Sequence, residues 1–484
     1  PIQRCTGEEG KVGAAHHPRH RYRKDIKTSF IHNTPEHTHM MTHKHIHLRN
    51  VLALICLLAT ASVSAQKYNW EDDLHHRLLC DFTQDKQEVV DYISKFIPDV
   101  TEQKLQKWEA SGALEYMELD GQKRYFHAAA RNLFRIDTQC QKIWRKAHPG
   151  EGYSETELAD MKNLPQIIRD APHSKDRTAQ ARRMRVTYTI SIPADVVPEG
   201  EKVRCWMPFP HREVTRQSDI ELISTSPEKY KISDSKSTHS TLYMEQKAQA
   251  GQPTVFREVF EYTSRGQWFA LDSVKPYDTK SALYRKYTAE RLPHIAFTPQ
   301  LRALADSLTR GIECPVERAR SIFTYINNHY PWASAREYST IPCIPMYVLQ
   351  NRHGDCGQVS LLFITLCRLS GIPAHFQSGF MMHPRSSNLH DWAEIYFEGI
   401  GWVPVDQSFG IPSYAHNDAE KYFFLGGIDS WRLVVNTDYG MPLSPKKKYP
   451  RSETVDFQRG EVEWRGGNLY FDQWEYNWEI EYLD

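Results

Sequence analysis

The chain has no excess of charge of either sign. Its 60 Lys and Arg balance 60 Asp and Glu over 484 residues, so no overall field draws it to nucleic acid or to an anionic membrane. It also lacks a basic stripe interleaved with aromatics, and no nucleic-acid partner is expected. There is no Cys-x-x-Cys pair and no other metal-ligand spacing, so neither a metal nor a cofactor is expected. The apolar run over residues 51–59 is too short to cross a bilayer comfortably. What remains is the composition of an ordinary soluble protein, 40% hydrophobic and 25% charged, with a length that suits about two to four domains.

The start of the chain is unusual. Residues 1–40 open on Pro1, are rich in His, Arg and Lys, and show no hydrophobic period, so they read as a non-native or untranslated-type prefix. The cluster His37, His39, His43, His45 and His47 has no fold around it and reads as accidental. Met40 or Met41 looks like the true start. From there Lys44 and Arg49 precede the apolar residues 51–59, and Ser62, Val63, Ser64 and Ala65 precede Gln66. That is the pattern of a signal peptide over 41–65, cut after Ala65, and it predicts an exported protein, periplasmic or extracellular. Removing this segment takes Cys5 and Cys56 from the nine cysteines. Cys80, Cys140, Cys205, Cys314, Cys343, Cys356 and Cys367 remain, an odd number that leaves at least one thiol free.

The period of the apolar residues divides the rest. Residues 66–178 read as a mainly helical module, with helices over 85–96, from 101 towards 113, and over 128–145, and a hairpin turn at Asp120–Gly121. Residues 184–275 alternate with period two: Val186, Tyr188, Ile190 and Ile192, then Val203, Cys205 and Met207, then residues 255–262. This predicts a β-sandwich, more a brace for a core than a binding module. The core is expected over 284–410 and a β-rich extension over 411–484. In that extension strands are read near 422–425 and 431–435, Lys446–Lys448 as a solvated turn, and the aromatics Phe471, Trp474, Tyr476, Trp478 and Tyr482 as a cap on a sheet.

Within the core one stretch organises its neighbours. From Gln358 the apolar residues run to Leu369, and Gly371-Ile372-Pro373 closes the run as a C-terminal cap and stop. Cys356 stands at the first turn, where unpaired N–H groups and the helix dipole favour thiolate over thiol; Cys367 reads as a small apolar core residue. A strand over 374–381 follows, then one carrying His390, then a turn and Trp402 to Asp406. A cysteine at a helix start, with a histidine and an aspartate on successive strands, is the arrangement of thiol acyl-transfer enzymes.

At Gly354-Asp355-Cys356, Leu369 to Ala374, His390-Asp391-Trp392-Ala393-Glu394 and Gly401 to Asp406, the sequence resembles the transglutaminase-like superfamily of papain-type thiol enzymes. The resemblance covers roughly 290–410. It implies an α+β fold in which a helix bearing Cys356 packs on an antiparallel sheet bearing His390 and Asp406. It further implies Cys356 as nucleophile, His390 as general base and Asp406 as the group that orients the imidazole. Trp332 and Gln350 are the candidates for completing the oxyanion site. Asp391 stands where a small residue is usual, and Gln407 where proline often follows the acid. Gly357 after the cysteine resembles the microbial secreted branch rather than the animal cross-linking enzymes, which carry an aromatic there.

The expected activity is transfer or cleavage of a peptide or protein amide through an acyl-Cys356 intermediate, with hydrolysis favoured because water is the default acceptor. The alternative is a binding or assembly protein that keeps the fold without catalysis. The oligomeric state stays open. Parity adds a geometric expectation. His390 and Asp406 share a face if the turn between their strands is a three-residue loop, Glu398 to Ile400, pairing Phe397 with Gly401, or a bulge near Glu398–Gly401 with the same effect. Asp406 then lies opposite Trp392 and diagonal to His390.

Overall fold

A computed structural model describes residues 68–148, 163–384, 386–412 and 415–483. The prefix and signal-peptide readings at 1–65 lie outside the described residues. Among the described residues no helix is long and apolar enough to cross a membrane. The fold is α+β with several antiparallel sheets.

The helix Cys356–Leu369 is its centre, and it starts where its backbone demands a cap. The Asp355 carboxylate accepts from Gln358 N at 3.0 Å, and Gln358 Oε1 accepts in return from Asp355 N at 3.2 Å. This reciprocal box satisfies two of the donors that a helix start leaves open. Every residue from Cys356 to Arg368 is buried, which marks a helix enclosed on all sides rather than an amphipathic surface helix. Its Leu361, Leu362, Phe363, Ile364 and Leu366 join one apolar cluster with Ile322, Phe323 and Ile326 of the helix Pro315–His329. Each such side chain contributes roughly 1.5–3 kcal/mol on burial.

Against this helix lies a four-stranded sheet in the order Gly401–Val405, Asn388–Phe397, Ala374–Met381, Arg432–Asn436, every pair antiparallel. Phe397 pairs with Gly401, so the connection is the three-residue loop that parity required. Gly399 and Gly401 have φ of +85° and +107°, angles that a side chain disfavours. Ala393, Ile395 and Phe397 enter the same cluster as the central helix. His390 and Trp392 therefore occupy the opposite face of their strand.

Two further sheets form the sandwich. One runs Gly427–Ile428, Thr254–Trp268, Thr178–Ile192, Glu475–Tyr482, with Gln217–Ser226 also on Thr254–Trp268. The other runs Gly467–Leu469, Glu461–Trp464, Lys202–Pro208, Thr241–Lys247, Tyr230–Ile232. The C-terminal strands thus pair with strands more than two hundred positions earlier in the chain. Trp474 and Trp478 are buried in the apolar cluster these sheets share with Phe380, as expected of aromatics that cap a sheet.

Three local expectations are corrected. The helix read over 128–145 is two, Ala129–Ile136 and Thr138–Ala147, because the Asp137 carboxylate caps Gln139 N and Cys140 N at 2.9 Å each and starts a new helix. Residues 422–425 form a turn joined to the sheet only by a bridge from Leu425 to Val405. Lys447 is not a solvated turn residue: it is buried, with Nζ 2.6 Å from Glu461 Oε2, an ion pair that offsets the cost of burying either charge.

The N-terminal helices have their own core around Phe82, Val89, Leu133 and Phe134, and they brace the segment running towards Cys356. Asn132 is clamped to Ser334, Nδ2 donating to the Ser334 carbonyl at 2.8 Å and Oδ1 accepting from Ser334 N at 3.0 Å. Asp81 Oδ2 accepts from Glu337 N at 3.0 Å, and the Arg135 guanidinium lies 4.8 Å from the Trp332 ring centre.

Candidate active site

Cys356 is the first residue of its helix and is buried at 8% exposure. Its Sγ donates to Asp391 Oδ2 at 3.3 Å. Asp391 is fully enclosed, and its other oxygen accepts from Gln458 Nε2 at 2.8 Å. Burial pushes the Asp391 carboxyl well above the usual carboxylate range, and the nearby Asp355 pushes it further. Asp355 is itself raised to about 6, chiefly by burial, although Tyr338 Oη donates to it at 2.7 Å. The first turn of the helix therefore faces carboxyl groups that tend to hold their protons.

Gly357 makes this approach possible. A Cβ placed there would lie 2.3 Å from Tyr338 Oη and 2.8 Å from Asp391 Oδ2. Glycine after the cysteine thus leaves the space that Asp391, in place of the usual small residue, occupies.

The other half of the site sits on the opposite strand face. His390 Nε2 is 2.8 Å from Asp406 Oδ2, and both side chains are buried. Asp406 Oδ1 accepts from the backbone N–H groups of Ser408 and Phe409 at 3.1 and 3.0 Å. Arg432 Nη1 stands 2.9 Å from Asp406 Oδ2, while its Nη2 reaches Asp429 Oδ2 at 2.6 Å. Burial opposes the charge on Asp406, but His390 and Arg432 outweigh it and hold the carboxyl below its ordinary value. Burial lowers His390, with Asp406 acting against it and Arg432 with it. Burial thus works against a charge on the imidazole while Asp406 favours one, and Nε2 is the ring nitrogen that faces the carboxyl. Nδ1 makes no hydrogen bond among the described residues.

The structure thus unites His390 with Asp406 and places Cys356 on Asp391; the thiol is not hydrogen-bonded to the imidazole. The reason is alternation. His390 and Asp391 are neighbours whose side chains leave opposite faces of one strand, and the cysteine helix packs on the Asp391 face. Of the oxyanion candidates, Trp332 bridges by its backbone to Gly354, two residues before Cys356, and its buried Nε1 has no hydrogen-bond partner among the described residues. Gln350 is exposed near the end of the helix Ile344–Asn351. Sequence reasoning did not find Arg432 or Asp429. Both are fully buried charges, and the only trace was a charged residue beside the apolar run 433–435.

Residues 302–407, which include the helix bearing Cys356 and the strands bearing His390 and leading to Asp406, match the transglutaminase-like superfamily core domain. A 135-residue stretch is 23% identical to the uncharacterized protein YebA of Bacillus subtilis (strain 168), covering 24% of this chain and 18% of that protein. Among solved structures, a protein from Cytophaga hutchinsonii described as a candidate cysteine protease aligns with a TM-score of 0.43 at 15% identity. That alignment covers 63% of this chain and 92% of that one. The periplasmic domain of TgpA from Pseudomonas aeruginosa aligns with a TM-score of 0.26 at 15% identity, covering 51% of this chain and 91% of that one.

Proposed function

We propose that the protein is an exported thiol enzyme that cleaves peptide or protein amides through an acyl-Cys356 intermediate. The observation that carries this reading is the pairing of His390: Nε2 lies 2.8 Å from the buried Asp406, which leaves Nδ1 as the nitrogen to act as the base. In the proposed reaction Cys356 Sγ must turn from Asp391 to the His390 face of the strand, where it gives its proton to Nδ1 and attacks the amide carbonyl. The C–N bond breaks as the imidazolium returns the proton to the leaving amine. Water, deprotonated by the same nitrogen, then releases the acid and restores the thiol. Trp332 Nε1 and the Cys356 N–H are the proposed donors to the oxyanion.

One observation favours a second reading, a binding or assembly protein that keeps the fold: Cys356 rests on a carboxyl rather than on the imidazole, which stabilises the thiol against the thiolate. Incubation with amide substrates, with and without a primary amine, separates the readings. Hydrolysis that is lost in Cys356→Ala supports the enzyme, and formation of only the amine adduct would make it a cross-linker. No turnover, together with full biological activity of Cys356→Ala, would establish the binding protein.

A further inference from the structure

We propose that His76, Cys80 and Asp472 form a site for a zinc-like divalent cation, remote in sequence from the Cys356 core and independent of its chemistry. His76 and Cys80 stand four residues apart on the helix Trp70–Asp81 and so share one face. Asp472 comes from the short turn Phe471–Gln473, 396 positions from His76. His76 Nε2 is 3.2 Å from Asp472 Oδ1 and 3.8 Å from Cys80 Sγ, and the three ligand atoms lie within 4.8 Å of one another. Zinc bonds of about 2.0–2.1 Å to nitrogen or oxygen and about 2.3 Å to sulfur, at tetrahedral angles, give edges of about 3.3 Å for N–O and about 3.6 Å for N–S. The N–O and N–S spacings of 3.2 and 3.8 Å are close to those edges, and the sulfur and carboxylate oxygen lie within 4.8 Å of each other.

Proton counting points the same way. Nε2 either carries a proton for Asp472 or a lone pair for the thiol, and it cannot serve both at once. A cation satisfies all three groups together, bound by thiolate, imidazole lone pair and carboxylate. The His76 and Asp472 side chains are 46% and 39% exposed, which leaves water access to a fourth position. Thiolate and imidazole select zinc over magnesium or calcium. Bound there, the ion would tie the first helix of the N-terminal module to the turn that precedes the last strand of the sandwich.

The test uses the full chain and cobalt(II) as the probe. The His-rich segment at 37–47 contains no thiol, so it gives no thiolate band. The wild type is expected to show a thiolate-to-cobalt charge-transfer band that saturates at one equivalent and is absent in Cys80→Ser. In parallel, zinc is expected to slow alkylation of Cys80 by about tenfold or more in the wild type and to have little effect in His76→Ala or the near-isosteric Asp472→Asn. Absence of the band in the wild type, its persistence in Cys80→Ser, or alkylation of Cys80 that zinc leaves unchanged would overturn the proposal.

Discussion

Cys356 Sγ and Asp391 Oδ2 are 3.3 Å apart in a buried pocket, and the carboxyl belongs to the residue directly after His390. A hydrogen bond from the thiol to a carboxyl oxygen favours the protonated sulfur, so Asp391 is expected to restrain the nucleophile. Asp391→Ala should raise the rate at which iodoacetamide modifies Cys356 near neutral pH by about tenfold, the equivalent of ~1.4 kcal/mol. The exposed Cys314 serves as the internal reference. An unchanged ratio of the two rates would show that Asp391 does not hold the thiol.

Gly357 is expected to be intolerant of even one carbon. The Cβ of Gly357→Ala would meet Tyr338 Oη at 2.3 Å and Asp391 Oδ2 at 2.8 Å. Overpacking of this kind costs about 1–3 kcal/mol. Chemical denaturation should show that loss, and Asp391→Ala in the same chain should recover part of it, because the two positions contest one space. Equal stability of Gly357→Ala and wild type would mean that Tyr338 moves aside freely.

Asp355 should make stability depend on pH. Burial raises it to about 6 in the folded protein, so the folded state binds its proton more tightly than the unfolded chain does. Its contribution is fully present below about pH 4 and is lost as the pH rises through about 6, by roughly 2–3 kcal/mol. Buried histidines such as His353, lowered to about 4 by burial, act in the opposite direction, so the informative quantity is a difference. Urea midpoints should show Asp355→Asn gaining on the wild type between pH 5 and pH 7.5. Asparagine keeps the helix cap, and a constant difference across that range would refute the assignment.

How much of this was legible in the sequence follows from the range of each interaction. The central helix, the loop Glu398 to Ile400 and the shared face of His390 and Asp406 are local. Apolar period, glycine placement and residue parity determine them, and the register with Phe397 opposite Gly401 agrees. Asp391 was visible as a departure in a familiar motif, but its partner was not, because strand numbering does not say which face the cysteine helix covers. Arg432 and Asp429 join Asp406 only through the sheet. The strand Glu475–Tyr482 reads as a tail until Thr178–Ile192 is seen to pair with it. His76 and Cys80 lack a recognisable ligand spacing because their third partner lies 396 positions away.

The central claim is that Cys356 carries an acyl group from an amide substrate, with His390 as its base. The direct measurement is cleavage of a peptide library by the full chain, with acid-quenched samples examined by mass spectrometry for an acylated Cys356 peptide. The account predicts cleaved products and a transient Cys356 adduct in the wild type. It predicts no adduct in Cys356→Ala, and cleavage reduced by about 10²-fold or more in His390→Ala. Cleavage that survives in Cys356→Ala, or a wild type that cleaves nothing and forms no adduct, would contradict it.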